Sequence, residues 1–319
     1  MESEPLLPAK APIPPKQRRG FRITILIACK CVAFAASKMA TGYFIKGHGY
    51  TITTLTFGCI QLVNLAFIFI FVQETITRDK NKDKSLKKTL KRIKGVFKNS
   101  ENRRNVKVIL LSAMFFFYEV PLGGNSLQIL YVLNAPLCWG PVLIGIYGAL
   151  SGLSGQVAGL VSLKLLKQLP ISDIVITALG CLSAIGGCLV NAWAVDDIFM
   201  YLVSIVSLLM ALPPSLIRST ISCLLKSDEQ GTVLAVGACV EVASYLTVSP
   251  LINIIYQHTI FFMPGFAFLV CAGLEGITLT LIMIYICHDF YVNKTSRLLS
   301  TSQSSLNSRA QSEEDDGSA

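Results

Sequence analysis

Eight apolar stretches of roughly 20 to 28 residues fill most of this chain, near 23–44, 51–72, 106–133, 139–163, 171–193, 198–225, 231–256 and 262–287. A run of about 20 apolar residues is long enough to cross the hydrocarbon core as a helix. Backbone polar groups in lipid must also be satisfied within the segment, so the expected fold is an all-α membrane protein with eight transmembrane helices. The stretches are grouped as two, then a basic loop, then six. The predicted organisation is a Pro-rich, basic leader over 1–22, two helices over 23–72, a loop over 73–105, a six-helix bundle over 106–287 and a tail over 288–319.

Composition supports the membrane class, with 52% apolar residues against 15% charged. Much of the net charge of +9 comes from one loop, where twelve Lys or Arg, including Lys87, Lys88, Lys91 and Arg92, face four acids between Gln73 and Asn105. Short basic segments beside membrane spans stay in the cytosol, so this loop reads as an orientation signal with some attraction to anionic lipid, not as a nucleic-acid patch. The remaining loops agree. Lys10, Lys16, Arg18, Arg19, Lys164, Lys167, Lys226, Lys294 and Arg297 fall on the same side, which places both termini in the cytosol.

Nine of the ten cysteines lie inside the spans and read as small apolar packing residues, with Cys138 alone in a loop on the other side. There is no metal-ligand spacing, Gly-rich phosphate loop or dinucleotide fingerprint, so no metal or cofactor is expected. Gly152, Leu153, Ser154 and Gly155 match a short nucleophile motif, but the three histidines fall at or beyond span ends, too far from Ser154 to act as its base. An enzyme is therefore not expected. At the amino terminus the leader lacks the features of a signal peptide. Its Glu2, Leu6 and Leu7 instead have the acidic di-leucine layout that sorting adaptors read, which would send the protein to endolysosomal membranes; the motif is short and common, and plasma membrane remains the other destination. The Ser-rich, acidic tail from Thr295 is expected to be disordered.

Charged residues inside spans are costly unless they pair or meet water, so each is a candidate functional group. Six occur: Lys30, Lys38, Glu119, Arg218, Glu241 and Glu275. Three cations and three anions permit complete mutual pairing as helix glue, and a substrate or proton pathway is the other reading. Glu119 is followed by Pro121, Gly123 and Gly124, and Arg218 by four residues follows Pro213 and Pro214, so both charges sit beside expected helix discontinuities. Gly145, Gly148, Gly152, Gly155 and Gly159 line one face of the fourth span, where another helix can approach closely and either pack or slide.

Several separated motifs carry a family likeness. The run Leu130 to Trp139, the pair Ile217 and Arg218 followed by Asp228 to Gly231, the pairs Gly49, Tyr50 and Glu74, Thr75, and the run Gly265 to Leu269 resemble solute carrier family 46, the proton-coupled folate transporter family within the major facilitator superfamily. The likeness extends from about Phe21 to Asp289. It implies that the eight spans are the family's fifth to twelfth helices, that residues 23–72 are a remnant of the N-terminal bundle, and that four helices are missing. It also implies a secondary transporter of an organic anion, folate-like or of similar polar chemistry, with protons as coupling ions. Arg218 falls on the family's arginine in its tenth helix, implicated in substrate binding and proton coupling. The family's glutamate and histidine used for protons fall on Ile27 or Ala28 and on Pro121, leaving Glu119 and Glu241 as replacements and Lys30 and Glu275 as further pathway candidates. The alternative is a truncated, non-transporting isoform that modulates a full-length homologue.

Overall fold

The computed structural model describes residues 16–72, 102–122, 125–224 and 227–316. The leader with Glu2, Leu6 and Leu7, the basic loop and the pair Gly123, Gly124 lie outside the described residues. Among those described, nine helices follow in order: α1 (Lys16–Phe71), α2 (Asn102–Leu122), α3 (Asn125–Leu133), α4 (Pro141–Leu166), α5 (Asp173–Ala192), α6 (Asp197–Val206), α7 (Leu212–Leu224), α8 (Ser227–Thr259) and α9 (Phe266–Asp316). No strand occurs among the described residues. The all-α membrane class expected from the sequence holds; against eight expected spans, six helical runs among the described residues are long and apolar enough to cross a membrane.

The difference in count has a physical origin at each place. The first two expected spans fall in one apolar run, Cys29–Phe71, interrupted at Gly49. Gly49 has φ 76° and ψ 173°, a conformation in which a Cβ would be strained, so glycine is the residue that lets the chain turn here. The rings of Phe44 and Phe57 lie 6.5 Å apart. Thirteen residues of straight helix would separate their backbones by about 20 Å, so the arms 16–48 and 50–71 bend back on one another. The sixth expected span is divided instead of kinked: α6 ends at Val206, residues 207–211 form a turn, and α7 starts at Leu212. Pro213 and Pro214 thus occupy the first turn of α7, where their missing N–H groups interrupt no established ladder.

A third departure concerns the tail, expected to be disordered, where the helix runs on to Asp316. No Gly or Pro occurs between Gly276 and Gly317, so nothing in the backbone chemistry stops the helix until the glycine just past its end.

α2 lies at the centre of the packing, against α7, α8 and α9, while α5 packs against α6, α7 and α9. Leu111, Met114 and Tyr118 of α2 are fully buried with Cys181 of α5, Ile217 of α7 and Ile282 of α9. A second core joins Tyr131, Trp139 and Tyr147 to Met200, Tyr256 and Phe268. Its polar groups are paired: Tyr131 Oη donates to the Ala194 carbonyl at 2.7 Å, Trp139 Nε1 to Asp197 Oδ1 at 2.7 Å, and Gln128 Nε2 to Tyr147 Oη at 3.0 Å. Outside these cores the surface is apolar, as on the second arm of α1, where Phe67, Phe69 and Ile70 are exposed. That is the outer face hydrocarbon requires.

The principal partner of α1 is α4, and the glycine stripe explains how they meet. A Cβ on Gly145 would lie 2.8 Å from the Lys38 carbonyl oxygen, and one on Gly152 would lie 2.5 Å from the Phe34 ring. Gly148 faces the stem of Lys38 at 3.6 Å, Gly159 faces Ala211 at 3.5 Å, and Gly155 faces open space. Gly145 therefore lets the α1 backbone approach α4 closely, while Gly148 and Gly152 make room for side chains of α1, as small-residue stripes do in membranes.

Candidate functional site

Three of the six charged span residues converge. On α2, Phe115 and Glu119 are four residues apart and so share a face one turn apart. From α7, Arg218 reaches this face: its guanidinium carbon lies 4.8 Å from the centre of the Phe115 ring, and its Nη2 is 3.7 Å from Glu119 Oε1. From α8, Glu241 completes the group, accepting a hydrogen bond from Arg218 Nη2 at 2.5 Å. Gly237, one turn before Glu241, brings α8 close to Phe115, since a Cβ there would lie 3.8 Å from the ring.

The arrangement is asymmetric. Glu119 is buried, with its side chain 4% exposed, whereas Arg218 is 41% and Glu241 33% exposed. One guanidinium therefore serves two carboxyl groups from different helices while keeping an open side. A planar cation held against an aromatic face, with donors directed at carboxylate oxygens, is suited to bind a further anion such as a carboxylate or sulfate.

The elements that hold Arg218 are unusual in one respect. In a continuous helix Pro214 would donate to the Met210 carbonyl, and it has no N–H to do so. Tyr118 Oη, fully buried beside Glu119, donates to that carbonyl instead. Ser183 of α5 serves the other side of the break: its Oγ donates to the Val206 carbonyl at 2.5 Å and accepts from the Leu209 amide at 3.3 Å. A Cβ on Gly180 would meet the Pro213 ring at 2.6 Å, so that glycine admits the proline into the helix packing. Non-helical backbone inside the membrane region is thus satisfied by side chains of neighbouring helices.

The other candidates fall elsewhere. Glu275 is buried on α9, and its Oε2 has no hydrogen-bond partner among the described residues; Thr278 Oγ1, one turn on, is likewise unpartnered among them. Lys30 and Lys38 are exposed on α1, Lys38 lying over the Phe34 ring at 5.4 Å, and neither forms an ion pair among the described residues. Complete mutual pairing of three cations with three anions therefore does not occur. The reason is geometric: both lysines project from a helix whose main contact is with α4, whereas the acids lie on α2, α8 and α9. A further ion pair, Lys107 Nζ with Asp289 Oδ1, joins α2 to α9 outside the cluster. Pro121 lies in the last turn of α2, two residues beyond Glu119.

Sequence reasoning missed Phe115, Tyr118 and Ser183. Phe115 was accessible from the four-residue spacing to Glu119. That Pro214 leaves a carbonyl needing a donor was also readable, but which side chain supplies it depends on tertiary packing.

Comparison with known proteins bears on the whole chain. Residues 10–246 match the Major Facilitator Superfamily profile. The lysosomal proton-coupled steroid conjugate and bile acid symporter SLC46A3 of Gallus gallus is 30% identical over 301 residues, 92% of this chain and 64% of that protein. The Bos taurus protein of the same name is 29% identical over 288 residues, covering 88% and 61%, and the proton-coupled folate transporter of Rattus norvegicus is 28% identical over 269 residues, covering 83% and 58%. The chain spans about three fifths of the length of these curated relatives. Helical architecture, a broken helix carrying a half-buried arginine, a profile match over most of the sequence and relatives of solute carrier family 46 agree, and this multi-pass membrane chain belongs to the major facilitator superfamily.

Proposed function

We propose that this chain serves secondary transport of an organic anion together with protons, with Arg218 as the anion-binding group and Glu119 and Glu241 as the carboxyl groups that exchange protons. The single observation carrying this reading is the shared, part-open guanidinium: one cation between two carboxyl groups at 2.5 and 3.7 Å. Charge arithmetic gives the coupling. An incoming anion that takes the guanidinium displaces a carboxylate from it, and a proton bound by that carboxylate keeps the cluster's charge constant. Anion and proton then enter and leave together, and neither is stable at the site without the other.

The relatives' names, steroid conjugate, bile acid and folate, make amphipathic carboxylates and sulfates the substrate class to test first. Glu275 and Lys30 belong to this reading as further points on the pathway. Gly148, Gly152 and Gly155 on α4 are its sliding surface, and Pro121, Pro213 and Pro214 its gating positions. The basic loop and flanks orient both termini to the cytosol, and Glu2, Leu6 and Leu7 direct the protein to endolysosomal membranes.

The test is uptake of labelled bile acid, steroid sulfate and folate at acidic and neutral pH in cells expressing the chain at their surface. Acid-stimulated uptake of at least one anion above background supports the proposal. Equal uptake with and without the chain at both pH values, with surface expression verified, rejects it.

A further inference from the structure

We propose that Tyr118 is the positioning residue that couples the Arg218 cluster to the break at 207–211 in the helix pair that carries Arg218. The inference deepens the transport reading and rests on it for its meaning, although the coupling itself is a property of the fold. Adjacent residues on α2 face two different tasks. Glu119 is directed to Arg218, while Tyr118, about 100° further round the helix, gives its hydroxyl hydrogen to the Met210 carbonyl. That carbonyl lies four residues before Pro214, which has no amide hydrogen to offer it, and Arg218 lies four residues after Pro214 on the same face of α7. Displacement of Glu119 from Arg218 and displacement of the Met210 turn are therefore linked through a single peptide unit of α2.

The surroundings leave Tyr118 little freedom to do otherwise. Its side chain is fully buried among Met114, Cys181 and Ile217. Beside the bond from the Leu209 amide to Ser183, the turn it holds has short-range backbone bonds, Met210 N to Ser207 O at 3.1 Å and Leu212 N to Leu209 O at 3.0 Å. The Met210 carbonyl is half-buried among the helices, and losing its donor leaves it poorly compensated there, so the turn opens more readily when the tyrosine hydroxyl is absent. The structure thus gives the broken helix a latch on the same residue pair that carries the buried acid.

Hydrogen exchange of the full chain in lipid nanodiscs tests this without substrate or transport, so its failure is distinguishable from failure of the transport reading. Tyr118→Phe keeps the ring and removes the donor. Amide exchange over 207–212 is expected to accelerate roughly tenfold. Pro214→Ala returns an amide donor to the Met210 carbonyl, so the double variant Tyr118→Phe with Pro214→Ala should exchange at close to the original rate. Coupling is read separately: Glu119→Gln should alter exchange over 207–212 when Tyr118 is present and leave it unaltered in the Phe variant. Unchanged exchange in Tyr118→Phe, a double variant as fast as the single, or an equal effect of Glu119→Gln in both backgrounds would each overturn the proposal.

Discussion

Replacing Arg218 with Gln removes the one cation shared by two carboxyl groups. Breaking a buried ion pair by deleting one partner costs about 3–5 kcal/mol, because the other charge is left uncompensated. Here Glu119 is buried, but Arg218 and Glu241 are 41% and 33% exposed, so water recovers part of the loss and the lower end, about 3 kcal/mol, applies. That is over a hundredfold in the folding equilibrium. The assay is denaturant or thermal unfolding of the purified chain in one detergent, comparing Arg218→Gln with the same change combined with Glu241→Gln or Glu119→Gln. Because the penalty comes from stranded negative charge, removing a carboxylate should restore about 2 of the 3 kcal/mol. The Glu119 combination should recover more, since that acid is the buried one. Losses that add in the double variants, or an Arg218→Gln protein as stable as the original, would refute the electrostatic account.

Three further outcomes follow from packing and charge distribution. Gly145→Ala places a Cβ 2.8 Å from the Lys38 carbonyl and should destabilise the α1–α4 contact by about 1–3 kcal/mol, whereas Gly155→Ala meets open space and should be neutral or stabilising; thermal unfolding of both variants decides this. Tags at residue 90 and at the C-terminus should be labelled only after permeabilisation, and labelling of either on intact cells that carry the protein at their surface would reverse the orientation. Leu6→Ala with Leu7→Ala should move the protein from endolysosomes toward the cell surface by quantitative microscopy; an unchanged distribution would make the motif accidental.

Much of the site was legible in the sequence because charge in an apolar span is expensive and therefore conspicuous. Glu119, Arg218 and Glu241 stood out for that reason, and the structure brings these three together. The same signal could not say which face of a helix meets which neighbour, and so it grouped Lys30 and Lys38 with acids they do not reach. Helix boundaries were less legible than helix existence. Lys46, His48 and the glycines around them marked the turn at Gly49 between the first two spans, whereas two prolines at 213 and 214 are compatible with either a kink in one helix or the start of another. Polarity argued for a disordered tail after Thr295, but the absence of Gly and Pro up to Gly317 lets the helix of α9 continue. Tyr118 was illegible as a donor because its role depends on a carbonyl 92 residues away in the chain.

The most direct test of the central claim, that Arg218 binds an anion in exchange for a carboxylate, is uptake of a labelled bile acid or steroid sulfate by Arg218→Lys at acidic and neutral pH, with surface expression matched. Lysine keeps the charge but offers a point donor in place of the planar fork, so the account predicts that uptake falls at least tenfold while protein abundance and thermal stability remain near normal. Near-normal, acid-stimulated uptake by the Lys variant would contradict it and leave Arg218 as a cation that only neutralises Glu119 and Glu241.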